Sequence, residues 1–94
     1  MNLKNTYTEN MKVLLDEMNV SIQELETITK KRDSVTQSIF REELKKLREQ
    51  LNIATEIFSE FKSAGEQSWE DLENEFEKVY EALKRSYHYF RTQI

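Results

Sequence analysis

His88 is the only histidine and the chain has no cysteine, so nucleophilic triad chemistry would rest on one imidazole between Tyr87 and Tyr89. A di-metal carboxylate bundle needs Glu-x-x-His on facing helices, but the residue three before His88 is Arg85. Glu42 with Glu43, and Glu70 with Asp71, are adjacent acids that point to different parts of a helix surface. They suit solvated or capping groups better than a general acid and base. One glycine cannot build a phosphate-cradling loop. These residues imply no enzyme activity, catalytic group, cofactor or metal. What remains is recognition chemistry. Tyr80, Lys84, Tyr87 and Arg91 recur on one side of a helical segment, a grouping of tyrosine and cation common in interfaces. Arg41, Lys45 and Arg48 form a second basic group. Together they are the candidate interaction surface, with cover for another helix as the alternative role of the tyrosines, Tyr87 above all.

Helices must position these residues. There is no proline, one glycine, and 34% charged against 37% hydrophobic residues, a balance that suits helices each buried along one stripe. At 94 residues the chain is expected to be a single helical domain spanning 1–94, small enough for oligomerisation to help complete its core. No cysteine means no disulfide framework. The polar first ten residues do not resemble a signal peptide, and no stretch is apolar enough for a membrane span. The expected location is the cytoplasm.

The helical pattern is mirrored about Gly65. Phe61 pairs with Trp69, Phe58 with Leu72, Ala54 with Phe76, Leu51 with Val79, Leu47 with Leu83, Leu44 with Ser86 and Phe40 with Phe90, each pair of numbers summing to 130. Steps of three and four on both sides are a coiled-coil seam, and the constant sum means that two such seams zip together when the chain folds back. The pattern predicts an antiparallel coiled-coil hairpin with a long first helix, about 5–64, and a short second helix, about 68–92. Gly65 is expected to supply a left-handed turn residue, and Ser68 with Asp71 a capping box. Trp69 and the five phenylalanines at 40, 58, 61, 76 and 90 fall on the seam as core. Tyr80, Tyr87 and Tyr89 do not.

The short second helix cannot cover the N-terminal third. Met11, Leu15, Met18, Ile22, Leu25 and Ile28 form a stripe whose burial is worth about 1.5 to 3 kcal/mol each. A second mirror pairs Met11 with Phe58, Leu15 with Ala54, Met18 with Leu51, Ile22 with Leu47 and Leu25 with Leu44, all summing to 69. Two architectures satisfy it. In the first, the long helix stays straight and two chains pack as an antiparallel dimer, each stripe filling the groove of the other's hairpin. Val35 and Ile39 continue the stripe in that arrangement. In the second, the chain turns near 30–36, where Ser34 with Gln37 would cap a new helix, and a monomeric three-helix bundle results. The absence of glycine and proline favours the straight helix, whereas Asp33, Ser34, Thr36 and Ser38 weaken it.

Gly65, then Ser68-Trp69-Glu70-Asp71-Leu72, then Glu77-Lys78-Val79-Tyr80-Glu81-Ala82-Leu83-Lys84 resembles the C-terminal half of a group of small bacterial coiled-coil proteins of uncharacterised function. These have a long charged helix and a Gly-x-x-x-Trp-Glu-Asp-Leu turn leading to a short aromatic-containing return helix. The resemblance is clearest over about residues 44–90, and it implies an architecture without an activity. This chain has Tyr80 where the group tends to show a second tryptophan. The WXG secretion substrates are also helical hairpins, but their Trp-x-Gly order is missing.

The net charge of -4 argues against generic nucleic-acid binding. Its distribution is uneven. Residues 56–77 carry eight acids against Lys62 alone, a net of -7, while residues 30–48 and 81–94 together carry ten bases against four acids, a net of +6. Acids at the start of the second helix and bases at its end also complement the macrodipole. The function expected from all this is a non-enzymatic structural or protein-interaction module, a self-associating helical bundle with a homodimer as its base state and room for an unidentified protein partner. The alternative is a peripheral membrane or anionic-polymer binder that uses the basic middle segment and exposed tyrosines.

Overall fold

The computed structural model describes residues 3–94, which form three α-helices: α1 (Leu3–Lys30), α2 (Ser34–Ser63) and α3 (Trp69–Gln93). A short 3₁₀ turn, Glu66–Ser68, precedes α3. The described residues span 50 × 19 × 19 Å, about the length of one 30-residue helix. The central helix α2 packs extensively against both neighbours, and α1 and α3 touch each other much less.

The long helix expected over 5–64 is therefore two helices. Lys31 and Arg32 donate their backbone N–H groups to Ile28 and Thr29 in tightened closing turns. Extended Asp33 then caps α2, its carboxylate accepting from the Thr36 N–H at 2.8 Å. That hydrogen bond is the main reason the Asp33 carboxyl is held below its usual value. The Gln37 amide donates back to the carbonyl oxygens of Arg32 and Lys30, at 2.8 and 3.2 Å, and so satisfies the C-terminus of α1. Asp33, rather than Ser34, is the cap, and Gln37 serves the preceding helix. No glycine is needed, because backbone N–H groups of the closing turns and the Gln37 amide together supply the partners that a left-handed cap would otherwise provide.

The break folds the N-terminal stripe onto its own chain. Met11, Leu15, Met18, Ile22 and Leu25 are buried in one core with Leu47, Leu51, Ala54, Ile57, Phe58 and Phe61 of α2 and Phe76, Tyr80, Leu83 and Phe90 of α3. Ile28 is only half-buried. Thr29 takes the inner position instead, its hydroxyl bonded to the Leu25 carbonyl oxygen at 2.8 Å. Antiparallel packing of α1 on α2 brings Tyr7 edge-on to Phe61, ring centroids 6.1 Å apart. On the α2–α3 side, Phe40 meets Phe90 at 5.2 Å and Phe61 meets Trp69 at 6.3 Å, the outermost and innermost layers of the mirror about Gly65.

The second turn differs from the expected one in both details. Gly65 has φ -76° and ψ 165°, extended backbone open to any residue, and no described glycine has positive φ. Ser68 makes no side-chain capping hydrogen bond. Instead Ala64 is also extended, and its carbonyl oxygen accepts from Trp69 Nε1 at 3.3 Å and from Lys4 Nζ at 2.9 Å. Lys4 also lies 5.8 Å from the centre of the Trp69 ring, a cation–π distance. The carbonyl that follows α2 is thus satisfied by side chains of its two neighbours.

Candidate interaction surface

Six of the seven candidate surface residues, all but Tyr87, line three distinct grooves. Arg41, Lys45 and Arg48 line a cleft of about 370 Å³ between α1 and α2, close to their connecting turn, together with Glu26, Thr29, Lys30, Gln37 and Leu44. Lys84 lies on a different side, in a groove with Leu14, Phe76 and Tyr80 that also holds Glu77 and Glu81. Arg91 lines a third, beside Val20, Glu24 and Ile28. The candidate cations of α2 and α3 therefore line different grooves, Arg41, Lys45 and Arg48 on the α1–α2 side and Lys84 and Arg91 on the α1–α3 side.

The tyrosines also part company. Tyr80 belongs to the core with 9% exposure, stacked on Phe76 and with its hydroxyl reaching the Leu14 carbonyl oxygen. Desolvation pushes its pKa up, and the negative charges of Glu17 and Glu81 add to that. It is structural, which removes it from an exposed recognition face. Tyr87 is half-buried, packed against the core, and Tyr89 is exposed. His88 is exposed next to Tyr87, the rings 5.4 Å apart.

Within the α1–α2 cleft, charge is arranged in two tiers. Arg48 is fixed: its guanidinium makes a two-pronged contact with the Glu26 carboxylate at 2.6 and 3.3 Å and also donates to Asn19 Oδ1. Both partners of that ion pair are about one-third exposed, and the fork geometry gives it more order than an ordinary surface pair. Lys30, Arg41 and Lys45 form no ion pair among the described residues and lie exposed around the cleft. With Glu26 cancelling Arg48, these three leave the lining at +3. Lys30, counted in the sequence only as part of the basic segment 30–48, joins this group from the other helix. The Asp33 cap after it was the signal that the chain would turn and bring it opposite Arg41.

The opposite end of the rod is acidic. Glu66, Glu70, Asp71, Glu75 and Glu77 are exposed around the start of α3, and Glu73 is half-buried. Burial raises the Glu73 pKa, with repulsion from Glu77 and Glu70 adding to the shift. The cations nearby are already engaged: Lys4 with Ala64 and Trp69, and Lys62 over the Phe58 ring at 4.7 Å. Among the described residues no group of three or more acids and histidine is placed to hold a metal ion, and no helix is long and apolar enough to cross a membrane. No protein-family model, curated protein or solved structure matches the chain, so its function is argued from this geometry.

Proposed function

We propose that this protein is a non-enzymatic helical interaction module that self-associates by exchanging α1 between two chains, giving an antiparallel homodimer. The observation that carries the reading lies just past the α1–α2 turn. Val35 and Ile39 are 69% and 63% exposed, although they continue the apolar stripe of α1 whenever residues 31–33 are helical. A straightened chain places them at a two-fold axis against the same residues of a second copy. The remaining α1–α2 contacts carry over unchanged, since the second mirror is centred on that turn. Exchange of an identical element is a low-cost route to a dimer. The gain is the burial of Val35 and Ile39, about 1.5 to 3 kcal/mol for each side chain that becomes fully covered. Opposing it are the lost cap at Asp33 and the entropy of association. The turn and return helix that resemble small bacterial coiled-coil proteins support the same architecture.

Light scattering over a concentration series tests this, in about 0.5 M salt so that exposed charges are screened. The expected mass rises toward twice 11.3 kDa. Inserting a flexible Gly/Ser linker between Arg32 and Asp33 relieves the short connection and returns the single-chain mass with helix content retained. A single-chain mass at every concentration overturns the exchange.

A further inference from the structure

The two ends of the rod carry opposite charge, and one end is concave. We infer that the α1–α2 cleft binds the acidic start of α3 of a second copy, so that chains associate head to tail through a contact separate from α1 exchange. The inference rests on the reading of this protein as a self-associating module and supplies a second, electrostatic mode for it.

Three observations converge. Among the described residues Lys30, Arg41 and Lys45 surround the cleft without ion-pair partners, while Arg48 is held in its wall by Glu26 and Asn19. Three unpaired cations around one concave lining form a site for several carboxylates at once. At the far end, Glu66, Glu70 and Asp71 project from the turn and first turn of α3, exposed and close in sequence. Mutual repulsion there already raises the Glu73 pKa beyond the effect of burial, so cations from another molecule would relieve a cost present in the isolated chain. Cleft and acidic turn lie at opposite ends of a 50 Å rod, too far apart to meet within one chain. A contact between two different patches closes into a ring or propagates as an open row, according to the rotation between neighbouring copies.

The test is charge reversal in the full chain, read by sedimentation velocity at about 0.02 M and about 0.5 M salt, where screening lengths differ several-fold. Wild type is expected to associate at low salt and to weaken at least about tenfold at high salt. The pair Arg41→Glu with Lys45→Glu, and separately Glu70→Lys with Asp71→Lys, are each expected to abolish the salt-sensitive association. All four positions are exposed, and circular dichroism checks that both variants stay folded. Mixing the two variants restores association, since an acidic cleft then meets a basic turn. Salt-sensitive association that survives either reversal, or a mixture that stays dissociated, overturns the proposal. So does wild type that fails to associate at low salt while anionic vesicles retain it through Arg41 and Lys45, because the cleft would then serve an anionic surface. A dimer that persists at high salt in both variants reports α1 exchange alone, and its absence counts against that reading without touching this one.

Discussion

Tyr80 lies flat against Phe76, ring centroids 5.9 Å apart and planes within 7° of parallel, and its hydroxyl reaches across to the Leu14 backbone of α1 at 3.5 Å. One residue of α3 thereby touches the helix that shares the least contact with α3. The ring fills the wedge between the outer helices, which a two-helix seam has no reason to contain.

Tyr80→Ala is accordingly expected to cost about 3 to 5 kcal/mol, the range for emptying a buried aromatic site, comparable with about 2 to 5 for Leu51→Ala. A read of the seam alone would rank Tyr80 far below Leu51. Tyr80→Phe is expected to cost less than about 1 kcal/mol, because a hydrogen bond at 3.5 Å is at the limit of useful geometry. Urea unfolding of the three variants measures the order. A Tyr80→Ala loss no larger than that of Tyr80→Phe would place the ring outside the core.

Gly65 offers the opposite case, a residue that looks indispensable and is not. Its φ is negative, and a Cβ added there meets nothing within 4 Å. Gly65→Ala is expected to leave the fold intact and to stabilise it by about 0.4 to 1 kcal/mol, through loss of freedom in the unfolded chain. Thermal unfolding decides, and a lowered midpoint would mean that the turn needs a conformation only glycine adopts.

Buried residues on the two mirrored seams were legible in the sequence, and buried residues off them were not. Phe40 with Phe90 and Phe61 with Trp69 meet as steps of three and four require, because a seam between two helices imposes that period. Ile57 is buried off that seam, because α2 packs against both neighbours and needs a wider stripe than two positions per heptad supply. Tyr80 is buried for the same reason on α3. The turn at 31–33 was harder to read, since weak helix formers in that region lower helix propensity without specifying a stop. What specifies it is a reciprocal exchange, Asp33 capping α2 while Gln37 closes α1. The basic cleft depends on that turn, so only Arg41, Lys45 and Arg48 could be nominated from their own helix, and Lys30 could not.

Asp33 makes the turn sensitive to acid. Its carboxylate accepts the Thr36 N–H, and this lowers its folded-state pKa below the ordinary aspartate value. A carboxylate whose pKa is depressed by folding adds stability above its unfolded pKa and loses it as pH falls through the folded value. Asp33→Ala is therefore expected to lower the thermal midpoint at neutral pH, with the deficit shrinking once the wild-type carboxyl is protonated. Asp33→Asn keeps an acceptor of similar capping strength without a titrating group, so it retains most of the neutral-pH stability and flattens this part of the acid slope. Thermal midpoints of the three proteins from neutral pH down to about pH 2, below the range in which aspartates ordinarily titrate, check the assignment. An Asp33→Ala deficit that is absent at neutral pH, or unchanged to the acid end, would remove the Asp33 carboxylate as the group that starts the second helix.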